Sequence, residues 1–390
     1  MRPDPKLNSR LDARPRTRLT RSVLAVRLLL LALVAMSLLA GVAGGLLRVG
    51  IVIPGFAATD WLARAALGHA ALMTCGFLGT VIGIERAVAL KLRVAFVAPV
   101  ASSLSGLCLL LGYSGTGAWL GVLAAAAFVG VNLVVVQRQW AAHTALLLLG
   151  ALAWLVGNLL FAAGQSSTAT LPWWFAFLVL TIAAERLEMT RLMRRRPGAQ
   201  SSLYAALLAL LLGAGMSAFS ASAGGVLYGA ALLLLALWLG VFDIARRTVF
   251  AHGLSRYMAL CLLGGYAWLA VAGVAWGGTA LGWPLRDVAL HALGLGFIVS
   301  MMMGHAPVIL PAIARVKLQF GAFFYLPLAA LHVSLVVRLG FGPFNAPFRA
   351  TGALLNALAI ALFAATVIGA TLAWRVRQGA TRRLSIQKNV

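Results

Sequence analysis

The sequence predicts an all-α integral membrane protein, a bundle of about twelve transmembrane helices. Of its 390 residues, 62% are hydrophobic and only 10% are charged, whereas a soluble domain carries roughly a quarter charged residues. Backbone groups in lipid must pair with one another, which leaves helical bundles and closed barrels. The apolar runs are long and lack the two-residue alternation of barrel strands, so the helical class is expected.

Twelve apolar runs, each near the roughly 20 residues that a bilayer core requires, are predicted to cross the membrane. The first is too long for the apolar core of a signal peptide and is expected to stay as a helix. Residues 1–21 are predicted to be a disordered basic cytoplasmic tail, 22–374 a polytopic transmembrane domain, and 375–390 a second basic cytoplasmic tail. The predicted runs are 22–47, 61–84, 94–113, 118–136, 143–163, 172–189, 201–222, 224–244, 257–276, 287–314, 320–338 and 349–374.

The distribution of Lys and Arg predicts that both chain ends lie in the cytoplasm, and the protein is expected in the bacterial inner membrane. The net charge is +24, and with the N-terminus inside most basic residues fall in cytoplasmic loops. This charge is attributed to topology and to contact with anionic headgroups, so the lipid bilayer is the expected partner and nucleic acid is not. The outer loops hold only Arg48, Arg64, Arg286, Arg338 and Arg349.

Short similarities among the second, sixth and tenth runs suggest three four-helix units. The second run contains HAALMTCGFLG and ends near Glu85-Arg86, the sixth ends near Glu185-Arg186, and the tenth begins HALGLGFIVSMMMGH. A repeat at every fourth helix suits three such units. Because the similarity rests partly on Ala, Leu and Gly, a chance match is the alternative.

Histidines inside a membrane are functional candidates, since ionisable groups are costly in lipid. His69 and His291 are expected at similar outer depth on the second and tenth runs, where two imidazoles could hold a haem iron from opposite sides. Met73, one turn below His69, could line the same slot or replace a ligand. The alternative is that each histidine only hydrogen-bonds to a neighbouring helix. Four glycines would leave room for the flat macrocycle: Gly68, Gly76, Gly294 and Gly296.

Two further histidines are weaker candidates for metal binding. His332, in the outer half of the eleventh run, could bind copper, a second haem or a haem propionate. His305 lies fourteen residues after His291, which on a uniform α-helix is about 21 Å of rise and nearly the same face. Pro307 and Pro311 predict a broken helix beside His305. The preceding methionines, 301–303, could bind copper(I), and their alternative role is packing.

The two Glu-Arg pairs are expected at the inner membrane edge. Neighbours in sequence do not face each other on a helix, so Glu85 would pair with Arg186, or Arg86 with Glu185. These would be ion pairs that lock the bundle. The alternative is proton uptake or a substrate gate on the cytoplasmic side, near His305.

On the segments GHAALM and HALGLGFIVSMMMGH, the chain resembles the NnrS family. These are twelve-helix membrane proteins that contain haem and copper and are tied to nitric oxide metabolism. More distantly, it is similar to the catalytic subunit of haem-copper oxidases and nitric oxide reductases. The resemblance implies that His69 and His291 bind a haem b between the second and tenth helices, with copper as a second cofactor. The sixth and seventh runs lack the histidines of the oxidase copper site, so oxygen reduction is not expected.

Three functions remain open on the sequence, and whether the protein is an enzyme is not decided. The first is an NnrS-like role in nitric oxide response or metabolism, or in electron transfer, with an electron donor or a small ligand such as nitric oxide as partner. The second is a transporter or permease of a small molecule or metal ion, with Glu85, Glu185 and His305 lining the path and a proline hinge. The third is a scaffold or assembly factor, for which the short loops leave little surface.

Overall fold

The computed structural model describes residues 21–52, 60–189, 197–314 and 317–387, and within these ranges every regular element is a helix. Among these described residues, twelve helices are long and apolar enough to cross a membrane, which fits the predicted all-α membrane class. They are α1 Leu28–Arg48, α2 His69–Leu90, α3 Arg93–Leu111, α4 Ser114–Arg138, α5 Ala142–Ala162, α6 Ser167–Met189, α7 Ala199–Met216, α8 Ala221–Phe242, α9 Leu254–Ala280, α10 Arg286–Pro311, α11 Ala322–Phe341 and α12 Ala346–Gln378.

Some helices continue beyond these spans. The helix of α1 begins at Arg21, and that of α12 continues to Gln387, through most of the predicted C-terminal tail. A short helix, Asp60–Leu67, leads into α2, and another, Ala245–Thr248, lies between α8 and α9. Apart from Arg21, the predicted N-terminal tail lies outside the described residues, as do the arginines of the loop 190–196.

The seventh helix is shorter than predicted, because it ends at Met216 rather than at residue 222. The segment after it is rich in serine, which favours turns and helix caps over helix interiors. Ser220 caps the start of α8, where its side chain accepts a hydrogen bond from the Ala223 amide at 3.3 Å. The turn between α7 and α8 therefore occupies residues that the apolar pattern had placed in the seventh helix.

Helices α2, α6 and α10 form the centre of the bundle. Buried residues make up 61%, 78% and 67% of their apolar windows, and no more than 50% in any other helix. The three contact one another pairwise, and the remaining helices pack around them, with α12 in contact with α1. The two histidines of the predicted haem site thus lie on central helices.

Helices α2 and α10 share an unusual backbone. Each contains an eight-residue π-helix shortly after its histidine, Leu72–Gly79 after His69 and Ala292–Val299 after His291. A shorter π-helix, Val336–Phe341, ends α11. Such segments are rare and frequently mark functional sites. The similarity between the second and tenth runs therefore extends to the backbone, whereas α6 is α-helical throughout.

The predicted break at Pro307 and Pro311 is wrong, because an α-helix runs without interruption from Ser300 to Ala314. Proline lacks the amide that would bond to the carbonyl four residues earlier, which for Pro307 is that of Met303. The hydroxyl of Tyr257, on α9, donates to this carbonyl at 3.3 Å. A neighbouring helix thus supplies the donor that the proline removes.

Candidate functional site

Ionisable side chains gather at both ends of the three central helices. We call the end at which α2, α6 and α10 begin the histidine end, because it holds His69 and His291. The end at which they finish holds Glu85, Glu185 and His305, and we call it the glutamate end.

The structure brings the two predicted haem ligands together. The rings of His69 and His291 have centroids 6.2 Å apart and planes inclined by 30°. A metal ion binds an imidazole nitrogen at about 2 Å, and the ring centre lies about 1 Å further away, so two opposed ligands have centroids about 6 Å apart. The observed centroid distance of 6.2 Å therefore matches the distance expected for two imidazoles on opposite sides of one metal ion.

Hydrogen bonds define which nitrogen of each ring is available. His69 Nδ1 lies 2.7 Å from the carbonyl oxygen of Gly41. His291 Nδ1 lies 3.0 Å from the main-chain oxygen of Asp287 and 3.0 Å from its carboxylate. These oxygens only accept hydrogen bonds, so in the neutral rings Nδ1 carries the proton and Nε2 keeps a lone pair. Both histidines thus have the tautomer that binds a metal through Nε2.

Arg338 holds His291 and Asp287 from α11. Its Nη2 lies 3.3 Å from Nδ1 and 3.1 Å from Nε2 of His291. A donor on the lone-pair axis of Nε2 would be much farther from Nδ1, so the guanidinium lies over the ring and leaves that axis clear. Arg338 also donates twice to the Asp287 carboxylate, at 2.8 and 3.0 Å.

Two adjoining cavities meet at the histidine pair, and both border His69 and His291. The first, of about 120 Å³, extends towards the middle of the bundle between apolar side chains such as Phe77, Phe175 and Val299. The second, of about 470 Å³, lies at the histidine end. Together they form a slot, apolar at depth and cationic at its mouth. Four arginines line the second cavity: Arg48, Arg286, Arg338 and Arg349.

Met73 and Gly294 line the apolar cavity, where they were predicted to be. The other three glycines predicted for the slot do not border it, so that prediction is wrong for them. Gly76 packs against Ser37 of α1, and Gly296 against the Trp268 ring. A Cβ on Gly68 would face its own helix, at Arg64 and Leu72.

Sequence reasoning missed Gly45, Asp287 and the four arginines as site residues. Gly45 on α1 faces the His69 ring so closely that a Cβ there would lie 2.8 Å from Cε1. The arginines were visible as four of the five basic residues predicted on the outer side. Because helix ends commonly carry arginine, they were interpreted as topology signals only.

His332 is not part of this site. It borders neither cavity of the slot, and the indole Nε1 of Trp268 lies 2.9 Å from its Nδ1. An indole nitrogen only donates, so Nδ1 is the acceptor and the proton of the neutral ring is on Nε2. The predicted roles of His332 as a metal ligand or propionate partner at this site are therefore wrong.

His305 has no nitrogen left for a metal ion, contrary to its predicted role. Its Nδ1 lies 2.6 Å from the carbonyl oxygen of Met301, and its Nε2 lies 2.8 Å from Nη2 of Arg186. The carbonyl accepts from Nδ1, and Arg186 donates to Nε2. Both nitrogens of the imidazole are thus used in hydrogen bonds, one within α10 and one to α6.

The glutamate end links the three central helices. Nη2 of Arg86, on α2, lies 3.2 Å from Oε1 of Glu185, on α6, which is one of the two predicted cross-pairings. Arg186, also on α6, bonds to His305 of α10. The half-buried Glu85 lies one residue before Arg86. The ion pair and the Arg186–His305 hydrogen bond favour the interpretation that this end fastens the bundle.

The histidine pair offers two protein ligands and no more. Within residues 21–52, 60–189, 197–314 and 317–387, no group of three His, Cys, Asp or Glu side chains could hold a metal ion. A haem brings four nitrogens of its own and requires only one or two from the protein, so two histidines suffice for it. For the predicted copper, the described residues provide no group of three His, Cys, Asp or Glu ligands.

One family model matches residues 27–372, which include every residue of the slot and of the glutamate end. The chain belongs to this family, the domain of unknown function DUF8744. The comparisons with curated proteins and with solved structures gave no match.

Proposed function

We propose that this protein is a membrane haem protein that binds one b-type haem between His69 and His291. The observation that carries the proposal is the ring pair, with centroids 6.2 Å apart. In each ring Nδ1 is bonded to the protein, so Nε2 is the nitrogen available to a metal. The alternative is that each histidine only hydrogen-bonds to a neighbouring helix. That role would not require the two rings to lie at the spacing of a shared metal ion.

The slot suits the amphipathic shape of a haem. The macrocycle is flat and apolar, and its two propionates are anionic. The apolar cavity would take the deeper part of the ring, and the arginines at the mouth would hold the propionates by charge-assisted hydrogen bonds. When bound, the haem supplies redox chemistry and ligand binding at iron, while the protein supplies orientation and electrostatics.

We infer an NnrS-like role, in nitric oxide response or metabolism or in electron transfer, on the basis of this site. We also propose that the protein lies in the inner membrane with both chain ends in the cytoplasm, which would turn the histidine end outwards. The central position of α2, α6 and α10 supports three four-helix units. Copper stays a secondary proposal.

Spectroscopy of the purified full-length protein tests the proposal. Oxidised and dithionite-reduced optical spectra, with a pyridine haemochrome assay, should give one low-spin haem b per chain. The double variant His69→Ala/His291→Ala should lack haem, whereas His332→Ala should keep it, because that imidazole lies outside the slot. A colourless wild-type protein made with excess haem, or haem retained in the double variant, would contradict the proposal.

Transport of a small molecule or metal ion is the second candidate, and the glutamate end is the observation in its favour. Its predicted proline hinge is a continuous helix. The bonds Arg86–Glu185 and Arg186–His305 fasten the central helices where a gate would need to open. Uptake into vesicles that is lost in Glu185→Gln would support transport, and vesicles without uptake of metal ions or common anions would count against it.

A further inference from the structure

The two histidines of the pair are held in different ways. His69 bonds through Nδ1 to a neutral main-chain oxygen, that of Gly41. His291 bonds through Nδ1 to the Asp287 carboxylate and lies under the Arg338 guanidinium. The two imidazoles are therefore unequal as ligands, although their ring spacing alone would suggest a symmetric pair.

The carboxylate behind His291 is itself firmly placed. Arg338 donates to both oxygens of Asp287 and also lies 3.5 Å from Oδ1 of Asn356. The Asn356 amide donates to Ser334 Oγ at 2.7 Å, so the group connects α10, α11 and α12. A carboxylate bonded to the far nitrogen of a histidine ligand fixes its orientation and raises its basicity, and removing it typically lowers metal affinity by about 10–100-fold.

The backbone at His69 is less regular. Gly68, with φ −85° and ψ 5°, separates the helix Asp60–Leu67 from the single turn His69–Ala71, which leads directly into a π-helix. His291 also leads directly into a π-helix, but it ends a six-residue α-helix whose first turn contains Asp287. His291 is thus held by a regular helical turn and by two charged side chains, whereas His69 is held through its bond to the Gly41 carbonyl.

We propose that His291 would be the permanent protein ligand of the haem and His69 the exchangeable one, which would give way to a small neutral diatomic molecule. The inference rests on the proposed haem site. With haem bound, His69 Nε2 would give up its bond to the metal and the incoming molecule would take its place. No electron is transferred, and the released imidazole stays neutral.

The surroundings of His69 provide for both parts of this exchange. Val42 and Met73 line the apolar cavity together with His69, and an apolar lining favours a neutral molecule over an anion. The polar cavity of about 470 Å³ borders the same ring at the histidine end. The displaced imidazole can turn into that space, where water can satisfy its nitrogens.

Single variants of the full-length protein test the ranking of the two ligands. His69→Ala should keep its haem in a high-spin form, whereas His291→Ala should have at least about tenfold lower haem occupancy. Asp287→Asn should also lower occupancy, and Asp60→Asn, which removes an exposed acid near the same end, should not. If Asp287→Asn does not fold, the comparison of haem occupancy between His69→Ala and His291→Ala decides which ligand is permanent, because each of these variants removes only an imidazole.

Carbon monoxide is the probe for ligand exchange in the reduced protein. The binding rate of the wild-type protein should reach a plateau with carbon monoxide concentration, because His69 must leave first. The rate of His69→Ala should rise linearly and exceed that plateau. Reduced wild-type protein that does not bind carbon monoxide would overturn the inference, as would haem kept by His291→Ala and lost from His69→Ala. A haem-free wild-type protein would instead contradict the proposed function itself.

Discussion

Gly45→Ala is the smallest change that should disturb the histidine pair. A Cβ at this position would lie 2.8 Å from Cε1 and 3.1 Å from Nδ1 of His69. Non-bonded carbon atoms settle at about 3.5–4.0 Å, so the ring must retreat by about half an ångström or more. Metal–ligand distances hold to within about 0.2 Å. The bond from His69 to iron should therefore fail, and the protein should resemble His69→Ala.

Optical spectroscopy measures this effect, and the chain provides a matched control. Gly130→Ala places the same methyl group in α4, where it would meet nothing within 4 Å. In a helix this change should be neutral or stabilise by up to about 1 kcal/mol. Gly45→Ala should lose the low-spin haem bands, and Gly130→Ala should keep them. Low-spin bands of wild-type intensity in Gly45→Ala would refute the placement of His69 as a ligand.

Three further predictions concern the bundle and the mouth of the slot. Glu185→Gln should destabilise the protein by about 1–3 kcal/mol, because it leaves Arg86 without its anion in a partly buried site. Adding Arg86→Gln to that variant should restore part of the lost stability. Thermal unfolding in detergent measures both effects. Tyr257→Phe should lower the stability by about 1 kcal/mol in the same assay, because the Met303 carbonyl of α10 loses the hydroxyl donor that replaces the missing proline amide. The control Tyr113→Phe, at an exposed position, should have no effect. Arg349→Gln should speed haem loss by no more than about fivefold, and less at high salt, because ion pairs of exposed arginines contribute at most about 1 kcal/mol.

The fold was largely predictable because backbone groups in lipid must hydrogen-bond within their own helix, and each such helix appears in the sequence as a continuous apolar run. The π-helices were not predictable in this way. A π-helix widens the turn without changing the apolar character of its residues, as the run from Leu72 to Gly79 illustrates. The continuity of α10 through Pro307 was also hidden, since it depends on Tyr257 in another helix.

The candidate site was predictable in its imidazoles but not in their partners. Depth along a helix brought His69 and His291 together, but depth alone does not tell which way a side chain faces. His332 was misplaced for this reason, since it faces Trp268 of α9. Asp287 and Arg338 are 51 residues apart, and their pairing follows from the packing of α10 against α11.

The most direct test of the central claim is an anomalous difference map at the iron absorption edge, from crystals of the full-length protein purified with its haem. We predict one iron peak between the rings of His69 and His291, with Nε2 of each imidazole directed at it. An iron peak elsewhere in the bundle would contradict the account, as would a map with no iron peak between these two rings.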